Sequence, residues 1–177
     1  MKHILLTLSI LVLTACGGGG NDEKSSETDD LVVDTGIYTL QNIRFDAKDY
    51  YEGEQVTVTE GTSFEVQWVS PTAAPYRIEL YLSTNGEVYS DNNKIVELKC
   101  GNASFSLCPN ATGEVQCGID DNSLSCAIKS DFLGSESFQN NDLSSLKFII
   151  RGCDALNNCD VKTFELSIQT NTENTAT

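Results

Sequence analysis

Histidine is all but missing from this chain of 177 residues: the only one is His3. Beyond that position no imidazole is available for a Ser-His-Asp or Cys-His mechanism, nor for a His-ligated metal. Basic side chains are scarce as well, 11 Lys and Arg against 26 Asp and Glu, for a net charge of −15. Nucleic-acid binding depends on a basic stripe that releases counterions, so no nucleic-acid partner is expected, and a polybasic membrane-surface mode fails for the same reason. No apolar run approaches the roughly 20 residues that span a bilayer as a helix. No stretch keeps a helical period, and the glycines at 17–20 lack the Lys-Ser/Thr of a phosphate-cradling loop. No cofactor is implied.

What is present begins at the amino terminus. Lys2 and His3 precede an apolar stretch from Ile4 to Val12, and Leu13-Thr14-Ala15 leads into Cys16. A cysteine beside four glycines has no core to join. The LTAC tetrad after a short apolar segment resembles the lipobox of bacterial lipoproteins. The resemblance implies a signal peptide over 1–15, cut before Cys16, and a lipidated, palmitate-bearing Cys16 that anchors the chain in the membrane. It also implies the bacterial cell envelope as location, and a non-aspartate at Gly17 points to the outer membrane. Two or three acyl chains hold firmly where one binds reversibly, at about 0.8 kcal/mol per buried methylene. Residues 16–33 then read as a flexible acidic linker. Four glycines followed by NDEKSSETDD cannot bury enough surface to offset ordering entropy.

From about residue 34 the pattern changes to short alternating runs. In TSFEVQWV, Phe64, Val66 and Trp68 share one face; in PYRIELYL, Tyr76, Ile78, Leu80 and Leu82 alternate with Arg77, Glu79 and Tyr81. LKFIIRG and TFELSIQ repeat the alternation, with turn residues at EG 60–61 and STNG 83–86 between runs. Several short strands at this spacing predict an all-β antiparallel sandwich over 34–170, followed by a polar tail at 171–177. VTVTEGTSFEVQW, YRIELYL and FIIRGCDALNNCDVKTFELSI resemble fibronectin type III and bacterial immunoglobulin-like domains. The resemblance implies an Ig-like β-sandwich. About 100 residues suffice for such a sandwich, so the surplus is placed between Lys99 and Asn141 as a cysteine-braced insertion.

Of seven cysteines, setting Cys16 aside leaves six, an even number in an exported chain. If Asp121-Asn122 form a two-residue hairpin loop, Ile119 faces Leu124, Cys117 faces Cys126 and Val115 faces Ile128, all on one side. Cys117 and Cys126 then form a non-hydrogen-bonded pair, close enough to bridge. Cys153 and Cys159 bracket a second hairpin loop, which leaves Cys100 with Cys108. Zinc sites and dithiol redox centres place neighbouring cysteines closer together than any here.

The remaining candidates are few. Asp120, Asp121 and Asn122 crowd one turn and Asp154, Asn157, Asn158 and Asp160 another; they read as turn formers, with calcium ligation as the alternative. NAS at 102 and NAT at 110 match a glycosylation acceptor by coincidence in a bacterial setting. A carboxylate-pair hydrolase or a Ser-Lys pair remains formally open, but no spacing singles one out, so no enzyme is expected. The function expected is a membrane-anchored, non-catalytic binding or adhesion module for an envelope protein partner, with segment 100–126 the first candidate surface. A glycan-binding module using Tyr50, Tyr51 and Tyr81 is the alternative, Trp68 being assigned to the core.

Overall fold

The computed structural model describes residues 38–102 and 106–170. The expected signal peptide, Cys16, the expected linker, the first residues of the expected domain at 34–37 and the expected tail lie outside the described residues.

Each alternating run becomes a strand because one face finds an apolar partner. One sheet contains β1 (Gln41–Phe45), β2 (Lys48–Asp49), β4 (Ser63–Val69), β7 (Thr112–Asp120), β8 (Ser123–Ile128) and β9 (Asp131–Ser137). The other contains β3 (Gln55–Thr59), β5 (Tyr76–Ser83), β6 (Lys94–Cys100), β10 (Lys147–Asp154) and β11 (Cys159–Gln169). Their orders are β2-β1-β4-β7-β8-β9 and β3-β11-β10-β5-β6. The pairings are antiparallel except β3 with β11, which run parallel. The result is an all-β sandwich. Segment 99–141 is built into it: β7 sits in the interior of its sheet, between β4 and β8.

Phe64, Val66 and Trp68 of β4 and Val115, Cys117 and Ile119 of β7 are buried against Ile78 and Leu80 of β5, Phe148 and Ile150 of β10 and Phe164 of β11. Burying such side chains contributes about 1.5–3 kcal/mol each, before the cost of ordering them. Phe45 joins the two layers, its ring centroid 6.3 Å from Phe64, 5.6 Å from Phe148 and 5.2 Å from Phe164. Trp68 is fully buried and its indole N–H donates to the Tyr76 hydroxyl at 3.2 Å.

Both flanks of the sandwich are covered. On one, Gly134 of β9 lies so close to β6 that a Cβ there would stand 1.9 Å from the Ile95 carbonyl oxygen. On the other, the chain crosses from β2 in one sheet to β3 in the next through residues 50–54, where the Gly53 N–H donates to the Thr163 carbonyl at 2.8 Å. Among the described residues no helix is long and apolar enough to cross a membrane.

Strand β5 corrects one expectation. Arg77, Glu79 and Tyr81 do face away from the inter-sheet core, yet Glu79 and Tyr81 are only 4% and 3% exposed. Tyr81 is therefore not an exposed ring. Its cover comes from remote residues: Ile149 lies opposite on β10, and the Tyr89 ring stands 5.5 Å away.

Candidate functional site

The three cysteine pairs are joined as expected, but they serve different parts of the molecule. Cys117 and Cys126 lie opposite each other with Cα atoms 4.0 Å apart, and Ile119 faces Leu124. Asp121 and Asn122 take φ values of 46° and 58°, the left-handed pair that a two-residue type I′ hairpin requires. Both sulfurs are buried inside the sandwich, so this bridge braces the core rather than a loop. Segment 100–126 thus contains a hairpin strand whose inner face joins the core and whose outer face, with Glu114 and Gln116, is exposed, and a bridged loop that carries the exposed Leu107.

The other two bridges share one end of the sandwich. Tyr76 pairs with Cys100 on one side and with Asp154 on the other, so Cys100–Cys108 and Cys153–Cys159 flank the same strand end. Backbone bonds lock the adjoining loops: Asn102 N–H donates to the Ala73 carbonyl at 2.9 Å, Gly101 N–H to Cys108 at 2.8 Å, and Ser70 N–H to Ala111 at 2.8 Å. Gly101 has φ 86°, and a Cβ there would lie 2.3 Å from the Ala74 oxygen, so only glycine fits. Exposed leucines stand on both bridged loops: Leu156, 70% exposed between β10 and β11, and Leu107, which borders β6 and Leu133 of β9. A depression of about 280 Å³ at the β10–β11 turn is lined by Arg77, Glu97, Lys99, Cys100, Asp154 and Asn157.

The acidic turn residues have structural employment. The Asp154 carboxylate accepts from Leu156 N–H, Asn158 N–H and the Asn158 amide at 2.8–2.9 Å. Asp160 accepts from the Leu40 N–H at 2.8 Å and pairs with Lys162 at 3.2 Å. Asp120 ends β7 and Asp121 occupies the hairpin turn. Among the described residues no group of three or more His, Cys, Asp or Glu is placed to hold a metal ion.

On the outer face of the second sheet, Glu79 sits between two arginines. Its carboxylate lies 3.0 Å from Arg77 Nε and accepts from an Arg151 terminal nitrogen at 2.6 Å and from the Tyr81 hydroxyl at 2.8 Å. Burial pushes the Glu79 carboxyl up, but those hydrogen bonds and the arginine charges outweigh it and hold it below the ordinary carboxylate value. Arg151 also points a terminal nitrogen at Cys159 Sγ, 3.2 Å away, and stands 5.6 Å from the Tyr89 ring. Both arginine Nε atoms are buried without a hydrogen-bond partner, Arg77 Nε at ion-pair range of the Glu79 carboxylate. A saturated carboxylate of this kind orders a sheet face and is poorly suited to proton transfer.

Tyr50 and Tyr51 come together on the crossover between the sheets and line one groove, of which Tyr81 is not a part. They border a groove of about 440 Å³ whose other walls include Asn42, Asp49, Glu52 and Lys162, above Leu40, Ile43 and Phe164. Tyr50 packs edge-on against Phe45 at 5.3 Å, whereas Tyr51 is 75% exposed. Tyr50 and Tyr51 are legible as candidates from the sequence; Asn42 and Lys162 carry no sequence signal, because the irregular register of β1 and the pairing of β11 with β10 bring them there.

No protein-family model matches this chain, and no curated protein matches it at a significant level.

Proposed function

We propose that the protein is a lipid-anchored component of the bacterial envelope, held at the outer membrane through Cys16. Its immunoglobulin-like sandwich is a non-catalytic binding or adhesion module for a protein partner. The LTAC tetrad supports the anchor and the acidic linker supports a tether that lifts the domain from the membrane. The single observation that carries the binding reading is the bridged end of the sandwich. Two disulfides, an obligatory glycine and cross-loop hydrogen bonds tie the described parts of three loops together, and two of these loops each carry one exposed leucine. Pre-ordered loops lose little entropy on association, and exposed apolar anchors on them are the kind of feature an interface uses.

The test is photo-crosslinking in the native cells from an unnatural residue placed at Leu156, at Leu107 and, as a control, at the exposed Thr57 of β3. The expected result is one protein species captured from 107 and 156 and not from 57. Equal capture from all three positions, or none, overturns the reading. Labelling with a palmitate analogue, lost in Cys16→Ser, tests the anchor separately.

A further inference from the structure

We propose that the groove beneath the β2–β3 crossover is a subsite for a neutral hexose unit of a saccharide. This inference is independent of the protein-partner reading, since it concerns a different surface.

Tyr51 is the first observation behind it. A tyrosine 75% exposed gains nothing from packing, yet its backbone is held at both ends. Its N–H donates to the Glu54 carboxylate at 2.8 Å, its carbonyl accepts from Glu54 N–H at 3.0 Å, and the same turn is fastened to β11 through Gly53 and Glu54. The ring is thus presented from a fixed turn, at the lip of a concave space about 440 Å³ in volume. Volumes of roughly 300–1,000 Å³ are those of small-molecule sites. Tyr50 differs: its ring is committed to Phe45 and to the Lys48 ammonium 4.6 Å above it, so it forms wall and not platform.

The rim decides the class of ligand. Asp49 is paired with Arg44 at 2.6 Å, and Lys162 with Asp160 at 3.2 Å and Glu52 at 3.5 Å. Each charge lining the groove already has a counter-charge. An anionic sugar meets carboxylates, and the lysine that could receive it is shared between two of them. A cationic ligand must displace Arg44 or Lys162. Hydroxyl groups face neither cost. An ionised carboxylate has spare lone pairs, an ammonium has spare donors, and the Asn42 amide both donates and accepts, which suits vicinal diols. Asn42 is set there by the irregular register between Gln41 and Arg44 and by a φ of 47°, a conformation uncommon for a residue other than glycine. An apolar pyranose face over Tyr51, with ring hydroxyls on the rim, uses both properties of the site at once.

The full-length protein in a detergent without a sugar headgroup is titrated with maltohexaose, cellohexaose and mannohexaose, and with oligogalacturonate and chitosan oligomers as charged counterparts. The expected result is saturable binding of at least one neutral hexasaccharide, weakened at least tenfold in Tyr51→Ala. Asp131→Asn, exposed on β9 at the opposite edge of its sheet from β2, leaves it unchanged. Because Tyr51 is exposed, Tyr51→Ala keeps the wild-type melting temperature. Binding restricted to a charged oligomer, binding that survives Tyr51→Ala, or no binding to any of the five overturns the proposal.

Discussion

Trp68 and Gly113 are cross-strand partners on β4 and β7, and a Cβ on Gly113 would stand 2.3 Å from the indole ring. The ring of the buried tryptophan occupies the space that any other residue at 113 would fill. Gly113 has ordinary backbone angles, so the requirement is for volume alone. Gly113→Ala is therefore expected to destabilise by about 1–3 kcal/mol, as overpacking does. Thermal or urea unfolding checks this, and Trp68→Phe in the same chain is expected to recover part of the loss. A neutral Gly113→Ala would mean that the indole moves aside without cost.

Acid should weaken the outer face of the second sheet. Folded Glu79 has a lowered pKa, so its contribution is complete above the ordinary carboxylate range and is lost as pH falls through the lowered value. At neutral pH Glu79→Gln is expected to cost about 2 kcal/mol, since hydrogen bonds to a charged group are removed between two arginines. The difference from wild type should shrink on acidification. Parallel curves of melting temperature against pH for the two proteins would exclude this linkage.

Alkali should act through buried phenols. Tyr81 is pushed up to about 12 by burial and by the Glu79 charge beside it. Tyr38 reaches about 12 chiefly through burial, against a hydrogen bond with Ser70 that works the other way. Both hold their protons more tightly folded than unfolded, so this stability is present below the ordinary tyrosine value and lost as pH rises towards about 12. Phenolate absorbance should show these groups ionising late, together with loss of the fold. In Tyr81→Phe, one late group should disappear.

Removing the interior bridge should cost more than its place in a short hairpin suggests. Chain entropy alone assigns a loop of this length about 2–3 kcal/mol. Cys117 and Cys126 are also buried among core side chains, so Cys117→Ala with Cys126→Ala adds a packing loss. The corresponding pair of changes at Cys153 and Cys159 is expected to be milder, because Cys159 is only partly buried. Chemical unfolding of the two double variants ranks them; a larger loss at 153 and 159 would reverse this order.

The hairpin from Val115 to Ile128 is legible residue by residue in the sequence. Its loop has two residues of the type that accept a positive φ, its alternation has period two, and a cysteine pair falls on one face. These are local facts, settled within a few residues of chain. Alternation likewise places Trp68, Ile78 and Phe148 in the core and Arg77, Glu79 and Tyr81 on the opposite face. The parallel pairing of β3 with β11 is not legible, because it joins segments about a hundred residues apart that carry no mark of each other.

Sequence by itself determined the strongly alternating strands β4, β5, β7, β8, β10 and β11, the direction their faces point, the even set of six cysteines and the absence of an imidazole from residue 4 onward. Those depend on side-chain chemistry and on repeats of two, which short stretches fully specify. Only the tertiary structure decided that Tyr81 is covered while Tyr51 is open, and that two bridges flank one end of β5 while the third joins β7 to β8. It alone set Asn42 beside Lys162 in one groove. The physical reason is that exposure and proximity are properties of what packs against a residue, and here the packing partners come from distant parts of the chain.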